Sequence, residues 1–307
     1  MSKAITFSEY GTPEVLRLSQ VTAPEPGPGQ VRIRVRAASV NPLDMKIRSG
    51  LMAGAVPAHF PVVPGLDAAG VVDAAGVVDA VGEGVDAAVG DEVLGATAGG
   101  SYSEYALLER PVVKPAALSW EVAASLVTVG RTAFRVLAQL GVRKGQTLLV
   151  HGAGGSVGVI AAQLAVTRGI TVITTVGEHD IERVTALGAT AVRYGDGWVE
   201  RVRTAAPQGV DFVLDASGAG VLADSVALTG DSARVITIAD MAAAQHGVRF
   251  SAGSTDQVED ALPQLVELAA DGTLTLPIWR TYPLEEAATA HADLEAHRNR
   301  GKAVLLP

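Results

Sequence analysis

The sequence predicts an α/β fold in which a doubly wound parallel sheet accompanies a second, mostly β domain. The chain has 307 residues, 48% of them hydrophobic and 19% charged, a length and composition suited to two ordered domains. About the first 120 residues alternate short β-like runs with Gly and Pro, which is typical of compact β structure. From about residue 122 to 275, strand-like runs alternate with helical patterns, as in the βαβ units of a parallel sheet.

Six apolar runs predict the parallel sheet. Their Val, Ile and Leu content is typical of strands buried on both faces, and six of them match a doubly wound, nucleotide-binding sheet of the Rossmann type. We therefore assign residues 122–275 to this domain. The runs are TLLVHG at 147–152, ITVITTV at 170–176, AVRY at 191–194, VDFVLDA at 210–216, ARVITIA at 233–239 and VRFSA at 248–252.

The remaining residues, 1–121 and 276–307, are expected to form the mostly β domain. The segment after about residue 275 reads as a loop, an amphipathic helix and a short last strand, and we expect that strand to rejoin the first domain. The β-like runs of this domain lie at 31–40, 76–85, 91–97 and 103–109.

A tandem duplication interrupts the first domain, because DAAGVV at 67–72 is repeated immediately at 73–78. Two short copies are too few for a repeat architecture. Six extra residues preserve the alternation of side chains along a strand, yet identical copies compete for the same pairing register. The surplus residues would then form a lengthened hairpin or a looped-out bulge, and we predict the bulge, near Gly70 to Gly76.

The composition excludes several kinds of chemistry and partner. Cysteine is absent, which excludes disulfides, thiolate zinc sites, iron–sulfur clusters and thiol nucleophiles. A formal net charge of −9 without a basic patch argues against a nucleic-acid partner. The N-terminus lacks the apolar core of a signal peptide, and no run approaches the roughly 18 apolar residues of a membrane helix. We expect a soluble, cytoplasmic protein that does not bind membranes.

The segment HGAGGSVG at 151–158 lies between a predicted strand and a predicted helix. Glycines at this point permit a tight turn and let the backbone approach a pyrophosphate, while the helix N-terminus offers free N–H groups to phosphates. A glycine-rich turn without a ligand is the alternative, but the position at the start of a six-strand α/β run favours a dinucleotide. The residues expected to contact the cofactor here are Gly152, Gly154, Gly155, Ser156, Val157 and Gly158.

The end of the second predicted strand, Val176-Gly177, bears on the choice between NADPH and NADH. An acidic residue there would bond the adenine ribose of NADH, whereas Gly177 leaves room for a 2′-phosphate. Glu178 is ambiguous, because it could repel that phosphate or bind the ribose itself. NADPH is favoured over NADH. The candidates to contact the phosphate are His179, Arg183 and Tyr194.

Several segments spread over essentially the whole chain resemble the zinc-independent quinone oxidoreductases of the medium-chain dehydrogenase/reductase superfamily. The resemblance implies a GroES-like β domain beside the Rossmann NADP-binding domain, and a homodimer. The segments are NPLDMKIRSG at 41–50, PVVPGLDAAG at 61–70, GDEV at 90–93, GGSYSEYALL at 99–108, GRTAF at 130–134, HGAGGSVG at 151–158, VLDASG at 213–218, YPLEEAATAH at 282–291 and RGKAVLL at 300–306.

The same resemblance bears on metal binding. Zinc-dependent relatives have Gly-His-Glu where this chain has Gly65-Leu66-Asp67, and they use cysteine ligands that this chain lacks. Leucine cannot bind a metal. We therefore expect no metal site.

The resemblance also implies the remaining site residues. Asn41 and Asp44 are expected near the nicotinamide and the substrate carbonyl, although NPLD could equally form a proline turn with an Asx-type bond, and both can hold together. Thr132, Ser217 and Lys302 are implied beside the cofactor. Two departures, Arg131 before Thr132 and Leu51 in place of a frequent tyrosine, leave substrate preference open.

These features predict an NADPH-dependent reductase that transfers a hydride to a quinone or a related conjugated carbonyl, with the proton taken from solvent. The protein would mainly position and polarise the reactants, with Asn41, a backbone N–H or water stabilising the oxyanion. The alternatives are an enoyl or alkenal reductase acting on an enone or enoyl thioester, and, in another class, an NADPH-binding sensor or structural protein with little turnover.

Overall fold

A computed structural model describes residues 1–75, 87–252 and 261–307, and in it the chain divides into two compact units. The first unit comprises residues 1–128, 266–271 and 276–307, and the second comprises residues 129–265 and 272–275. The sequence placed the first boundary earlier, at 121/122. A continuous helix, Trp120–Leu140, runs through both positions. The boundary at 128/129 therefore lies within one helix, and no change in sequence pattern marks it.

The described strands and α-helices are as follows. The strands are β1 (Ser2–Thr6), β2 (Arg17–Val21), β3 (Gln30–Val40), β4 (Asp67–Ala75), β5 (Glu92–Ala98), β6 (Tyr105–Glu109), β7 (Val112–Val113), β8 (Thr147–His151), β9 (Thr171–Val176), β10 (Thr190–Arg193), β11 (Phe212–Asp215), β12 (Val235–Thr237), β13 (Arg249–Phe250), β14 (Ile278–Pro283) and β15 (Lys302–Leu306). The helices are α1 (Pro42–Arg48), α2 (Trp120–Leu140), α3 (Ser156–Thr167), α4 (Ile181–Ala186), α5 (Trp198–Ala205), α6 (Leu222–Thr229), α7 (Ala261–Ala270) and α8 (Ala287–Glu295).

The first unit is built on a sheet in which the described strands follow the order β14-β15-β3-β4-β5-β6, with β7 paired to β5. β15 pairs antiparallel with β3, which confirms that the last strand rejoins the first domain. Along β3, buried Val31, Ile33 and Val35 alternate with arginines, as expected of a strand with one solvated face. From Ala37 onward every residue is buried, so the strand enters the core just before α1.

The duplicated segment continues as a strand further than predicted. β4 includes the first copy and the start of the second, and it pairs with β3 as far as Ala75. The register shifts where Ile33 faces Val72 and the preceding residue faces Ala74, so Asp73 is a single extra residue in β4. In the described part of this segment the bulge is a single residue, Asp73, around which backbone pairing with β3 continues. The surplus residues are therefore not looped out before Ala75. Residues 76–86, which include the predicted run 76–85, lie outside the described residues.

The second unit contains the parallel sheet that the sequence predicts. Its strands follow the order β10-β9-β8-β11-β12-β13, and every adjacent pair is parallel. Numbered within this unit the order is 3-2-1-4-5-6, that of a Rossmann sheet, so the predicted fold class is confirmed. The order in which strands are added to the sheet reverses between the neighbours β8 and β11, which remain parallel. Ligands of such sheets bind beside the carboxyl ends of the strands at that point.

No helix in the described parts of the chain combines the length and the apolar character needed to cross a membrane.

Candidate active site

The glycine loop follows β8 and leads into α3. Gly152 has a φ of 82°, a left-handed conformation that favours glycine. A Cβ on Gly158 would lie 2.4 Å from the carbonyl oxygen of Gly152, so the helix can approach the turn only with glycine at that position. Gly155 is exposed and caps α3, where the first N–H groups of a helix have no partner within it. This backbone cradle fits the pyrophosphate of a dinucleotide.

An ion pair holds the glycine loop against the turn after β9. Arg183 contacts Asp180 through Nη2, 2.6 Å from Oδ1, and its Nη2 also donates to the carbonyl oxygen of Gly154 at 3.2 Å. The Oδ2 of Asp180 lies 2.6 Å from where a Cβ on Gly154 would be. Arg183, which the sequence assigned to the 2′-phosphate, is thus engaged by a carboxylate and by the loop itself.

A cavity of about 590 Å³ lies beyond the carboxyl end of β9. The ring of Tyr194 packs over Gly177, with Cε1 3.3 Å from where a Cβ would stand, so a larger residue would displace the tyrosine. Gly177, His179 and Tyr194, three residues that the sequence assigned to the cofactor, line this cavity, whereas Arg183 is not among its lining residues.

Two arginines that the sequence reading did not single out also line this cavity. The guanidinium of Arg201 donates to the carbonyl oxygens of residues 193–195 at 2.9–3.3 Å and thereby fixes the rim. Arg193 is exposed, and its Nη1 lies 3.4 Å from a carboxylate oxygen of Glu178. Glu178 is therefore partly neutralised, and Arg193 is the cation best placed to meet an anion in this cavity.

The loop after β11 is organised by Asp215, which is fully buried. Its Oδ1 accepts hydrogen bonds from the N–H and the hydroxyl of Ser217, at 2.9 and 2.7 Å, and from the N–H of Gly218. This arrangement holds Ser217 at the carboxyl end of the parallel sheet, where it is exposed. Thr132, the other residue assigned to the cofactor in this unit, lies half-buried on α2.

In the first unit, a buried polar network surrounds the end of β3. The Nζ of Lys302 donates to the Oδ1 of Asn41 at 2.7 Å and to the carbonyl oxygen of Val40 at 3.0 Å. The amide nitrogen of Asn41 in turn donates to the Oδ2 of Asp67 and to the hydroxyl of Ser39, at 3.0 and 3.2 Å. Both amide hydrogens of Asn41 are thus directed to protein acceptors.

The other oxygen of Asp67 accepts a hydrogen bond of 2.6 Å from the hydroxyl of Thr128. Burial raises the pKa of Asp67, and the charge of Lys302 opposes that rise. Burial also lowers the pKa of Lys302 to about 8, an effect opposed by Asp67 and Asp44. Lys302, which the resemblance implied beside the cofactor, is buried and serves this network.

A second buried group surrounds Asp44, the third residue of α1. Its Oδ2 accepts the backbone N–H of Asn41 at 2.8 Å and the hydroxyl of Tyr102 at 3.1 Å. The first contact closes the turn of NPLD from the carboxylate of Asp44, whereas the side chain of Asn41 is bound to Lys302 and Asp67. The Nε2 of His291 lies 3.1 Å from the same tyrosine oxygen. The Oδ1 of Asp44 is buried without a hydrogen-bond partner in the described structure.

Burial sets the ionisation of this second group. It raises the pKa of Asp44 to about 7, with a smaller contribution in the same direction from Asp67. It lowers the pKa of His291 to about 3, with Arg48 adding to the effect. It also raises the pKa of Tyr102. At neutral pH the tyrosine and the histidine are therefore neutral, whereas the raised pKa of Asp44 allows its carboxyl to hold a proton.

Comparison with known proteins identifies the family. The family model described as "Alcohol dehydrogenase GroES-like domain" matches residues 27–117, and the one described as "Zinc-binding dehydrogenase" matches residues 187–305. A quinone oxidoreductase from Lama guanicoe is 32% identical over 330 aligned positions, covering 100% of this chain and 98% of the relative. The chain belongs to the quinone oxidoreductase family of the medium-chain dehydrogenase/reductase superfamily.

Solved structures of this superfamily have the same architecture. A mycobacterial protein in complex with NADPH is 30% identical with a TM-score of 0.85, and the match covers 100% of both chains. A protein described as an NAD-dependent alcohol dehydrogenase is 32% identical with a TM-score of 0.85, over 99% of both chains. The fold is thus shared by relatives whose descriptions name different nicotinamide cofactors.

One family description names zinc. This member of the quinone oxidoreductase family has no cysteine, and it has Leu66 at the position where zinc-dependent relatives are expected to carry histidine. Within residues 1–75, 87–252 and 261–307, no three His, Cys, Asp or Glu side chains form a group that could hold a metal ion. The thiolate donors of cysteine-containing zinc sites are therefore absent from this sequence.

Sequence reasoning missed four residues of this oxidoreductase that the structure brings to the candidate site. Arg193 directly precedes Tyr194, so proximity to an assigned residue was a usable signal. His291 ends the YPLEEAATAH segment and Tyr102 lies in GGSYSEYALL, but their meeting at Asp44 depends on tertiary structure. The fourth residue, Arg201, lies on α5, and nothing in its sequence context indicates the carbonyl oxygens that it holds.

Proposed function

We propose that this enzyme is an NADPH-dependent reductase that transfers a hydride to a quinone or a related conjugated carbonyl without zinc. The backbone cradle at the glycine loop carries the proposal, because it is the site in the described structure that is shaped for a dinucleotide. The quinone oxidoreductase relative and the neighbour in complex with NADPH support the substrate and cofactor classes.

In the second unit, two places would bind different parts of the cofactor: the N-terminus of α3 and the cavity beyond β9. Gly154, Gly155, Ser156 and Val157 lie at the N-terminus of α3, where backbone N–H groups would bind the pyrophosphate. Glycine at 152 and 158 keeps this turn tight.

In the cavity beyond β9, Arg193 with His179 and Tyr194 would meet the 2′-phosphate. Charge-assisted hydrogen bonds from arginine to phosphate are among the stronger polar contacts in proteins. The ion pair between Arg193 and Glu178 reduces the repulsion that the acidic neighbour would exert.

When bound, the reduced nicotinamide would supply the hydride, and with one further proton the acceptor gains two electrons and two protons in all. The protein contributes orientation and electrostatics. Thr132, Ser217 and Lys302 are assigned to the surroundings of the cofactor, with Lys302 acting through Asn41. Asn41 remains our candidate for the substrate carbonyl, although its amide hydrogens already have protein acceptors.

A titration with NADPH and NADH, followed by an acceptor panel, tests the proposal. We expect NADPH to bind more tightly than NADH and to be oxidised by a quinone in a reaction that dialysis against a metal chelator leaves unchanged. Equal or tighter binding of NADH would refute the cofactor assignment. Loss of activity on chelation that zinc restores would refute the zinc-independent mechanism.

The acceptor panel also separates the rival functions. Faster turnover of an enone, an alkenal or an enoyl thioester than of any quinone would identify an enoyl or alkenal reductase. Tight NADPH binding without oxidation by any acceptor would favour a sensor or structural protein. The proposal also includes a cytoplasmic homodimer that acts on small molecules, and a monomer mass in sedimentation at micromolar concentration would refute the dimer.

A further inference from the structure

A buried chain of three side chains leads to Asp44 within the first unit. The hydroxyl oxygen of Tyr102 lies 3.1 Å from the Oδ2 of Asp44 and 3.1 Å from the Nε2 of His291. None of the three residues is more than 2% exposed. They come from α1, from the turn between β5 and β6, and from α8, so three separate elements bring these polar groups together.

Counting hydrogens fixes the direction of these bonds when Asp44 is ionised. A carboxylate only accepts hydrogen bonds, so the single hydroxyl hydrogen of Tyr102 points to Asp44. The remaining contact of the tyrosine oxygen must then be donated by His291, whose neutral ring carries its hydrogen on Nε2. The Nδ1 of His291 is buried without a partner, which suits a bare ring nitrogen better than an N–H group.

The two oxygens of Asp44 are not equivalent. Oδ2 accepts two hydrogen bonds, from the N–H of Asn41 and the hydroxyl of Tyr102. Oδ1 is buried and has no protein partner among the described residues. A proton on Oδ1 leaves every protein hydrogen bond to Oδ2 in place, and its loss creates a carboxylate that these two donors already stabilise.

We propose that Asp44 carries on Oδ1 the proton that the reduction consumes, and that Tyr102 and His291 are positioning residues that stabilise the carboxylate left behind. This inference rests on the proposed function, since it assigns a proton donor to that reaction. From the sequence alone, we expected the proton consumed by the reduction to come from solvent.

The step balances in atoms and electrons. The carbonyl compound is reduced by a hydride, which the dihydronicotinamide would supply as the reductant when bound, and its oxygen becomes an oxyanion. The O–H bond of Asp44 breaks, its proton forms a new O–H bond on that oxygen, and the carboxylate keeps the electron pair. Solvent returns the proton to Asp44 after the product leaves.

The charged groups around this chain agree with the assignment. Lys302 and Asp67 face Asp44 from the neighbouring network with opposite effects on its ionisation, and Arg48 faces Tyr102 and His291. Burial outweighs the donors and raises the pKa of Asp44 to about 7, which is suitable for an acid near neutral pH. The Tyr102 hydroxyl opposes this rise, so removing it should weaken the acid.

The first experiment needs no cofactor or substrate. In ligand-free protein with ¹³C-labelled aspartate, the Asp44 carboxyl, assigned by its loss in Asp44→Asn, should titrate near neutrality. In Tyr102→Phe its midpoint should rise by about one pH unit, because a hydrogen bond to the charged form is lost. In the wild type, ¹⁵N shifts of the His291 ring should show the Nε2–H tautomer at pH 8, which tests the chain even where Tyr102→Phe fails to fold.

Tyr282→Phe is the matched control. Tyr282 is also a buried tyrosine of the first unit whose hydroxyl donates to a carboxylate, Asp293, at 2.8 Å, yet it lies outside the Asp44 chain. This variant should leave the Asp44 midpoint unchanged. An ordinary aspartate midpoint near pH 4 in the wild type, an equal shift in both tyrosine variants, or the Nδ1–H tautomer of His291 would overturn the proposal.

The second experiment follows turnover. With an enone acceptor, kcat/KM should fall above the Asp44 midpoint, and this limb should move to higher pH by the same amount in Tyr102→Phe but not in Tyr282→Phe. Asp44→Asn should slow the enone reaction roughly 100-fold or more and a quinone reaction less, because the quinone product is a stabilised phenolate. If the enone is turned over but the fall in kcat/KM does not move in Tyr102→Phe, the role of Asp44 as proton donor is wrong and the proposed function stands.

If no acceptor is turned over, the proposed function is wrong. The titration of the Asp44 carboxyl would then still test its ionisation and its hydrogen bond to Tyr102.

Discussion

The ammonium of Lys302 lies 2.7 Å from the side-chain oxygen of Asn41, so the last strand of the chain fixes the amide that begins α1. The two residues are 261 positions apart in the sequence. Because the amide nitrogen of Asn41 is directed to Asp67 and Ser39, the orientation of this side chain is set by its hydrogen bonds. Lys302 also supplies the positive charge beside the buried carboxylate of Asp67.

Replacing Lys302 with methionine should destabilise the protein by about 3 kcal/mol or more, because it leaves a buried carboxylate without its cation. Urea unfolding measures this change. The double variant with Asp67→Asn should lose less than the sum of the two single variants, since no unpaired charge then remains. Lys3→Met, at an exposed position of β1, should change stability by less than about 0.5 kcal/mol. Strict additivity in the double variant would contradict the pairing.

Gly158→Ala should distort the glycine loop, since its Cβ would lie 2.4 Å from the carbonyl oxygen of Gly152. We expect a loss of about 1–3 kcal/mol in the free energy of unfolding and at least tenfold weaker NADPH binding, measured by nucleotide fluorescence. In Gly155→Ala, the nearest contact of the new Cβ is an ordinary 3.4 Å, so its stability should fall by less than about 1 kcal/mol. Equal stability of both variants would contradict the packing argument.

The sheet and the glycine loop could be predicted because their signals are local. Apolar runs such as 147–152 and 170–176 coincide with β8 and β9 to within one residue, since Gly punctuation and Val/Ile content mark both ends. The domain boundary could not be read in this way, because α2 continues through it. The exact position of the bulge could not be read either, because Asp73 is the extra residue only with respect to the partner strand β3.

The polar site could be predicted only as far as residue types. Asn41 and Asp44 were assigned by resemblance, but their partners Lys302 and Tyr102 come from distant parts of the chain. Arg183 is close in sequence to Gly177, yet Asp180 engages it. Which of several nearby arginines faces a cavity depends on competing acceptors, and a sequence does not contain that geometry.

His151 makes the second unit sensitive to acid. It is buried, and its ring nitrogens contact the hydroxyls of Thr175 and Ser225. Its ring packs edge-on against that of Trp198, with 4.7 Å between the ring centroids. Burial lowers its pKa from 6.5 to about 4, so the folded state resists the proton that the unfolded state accepts. The contribution of His151 to the free energy of unfolding is therefore fully present above pH 6.5. It is lost as the pH falls towards 4, by roughly 3 kcal/mol.

Urea unfolding of the wild type and of His151→Asn at pH 7, 5.5 and 4.5, followed by circular dichroism, measures this contribution. The variant should be less stable at pH 7, and the difference between the two proteins should narrow with acid. Other groups contribute equally to both proteins and cancel in the comparison. A constant difference over this pH range would show that His151 does not resist protonation.

Arg193→Met should weaken the binding of NADPH about tenfold, since one charge-assisted contact with the 2′-phosphate would be lost, and should leave the binding of NADH nearly unchanged. Glu178→Gln should strengthen NADPH binding because it frees the guanidinium of Arg193, which lies 3.4 Å from that carboxylate.

Arg203→Met is the matched control, because Arg203 is an exposed arginine of α5 paired with Glu200 and does not line the cavity. Titrations at low and high salt should show the preference for NADPH narrowing as salt screens these exposed charges. An equal loss of both cofactors in Arg193→Met would mean that this arginine supports the fold of the rim and does not read the phosphate.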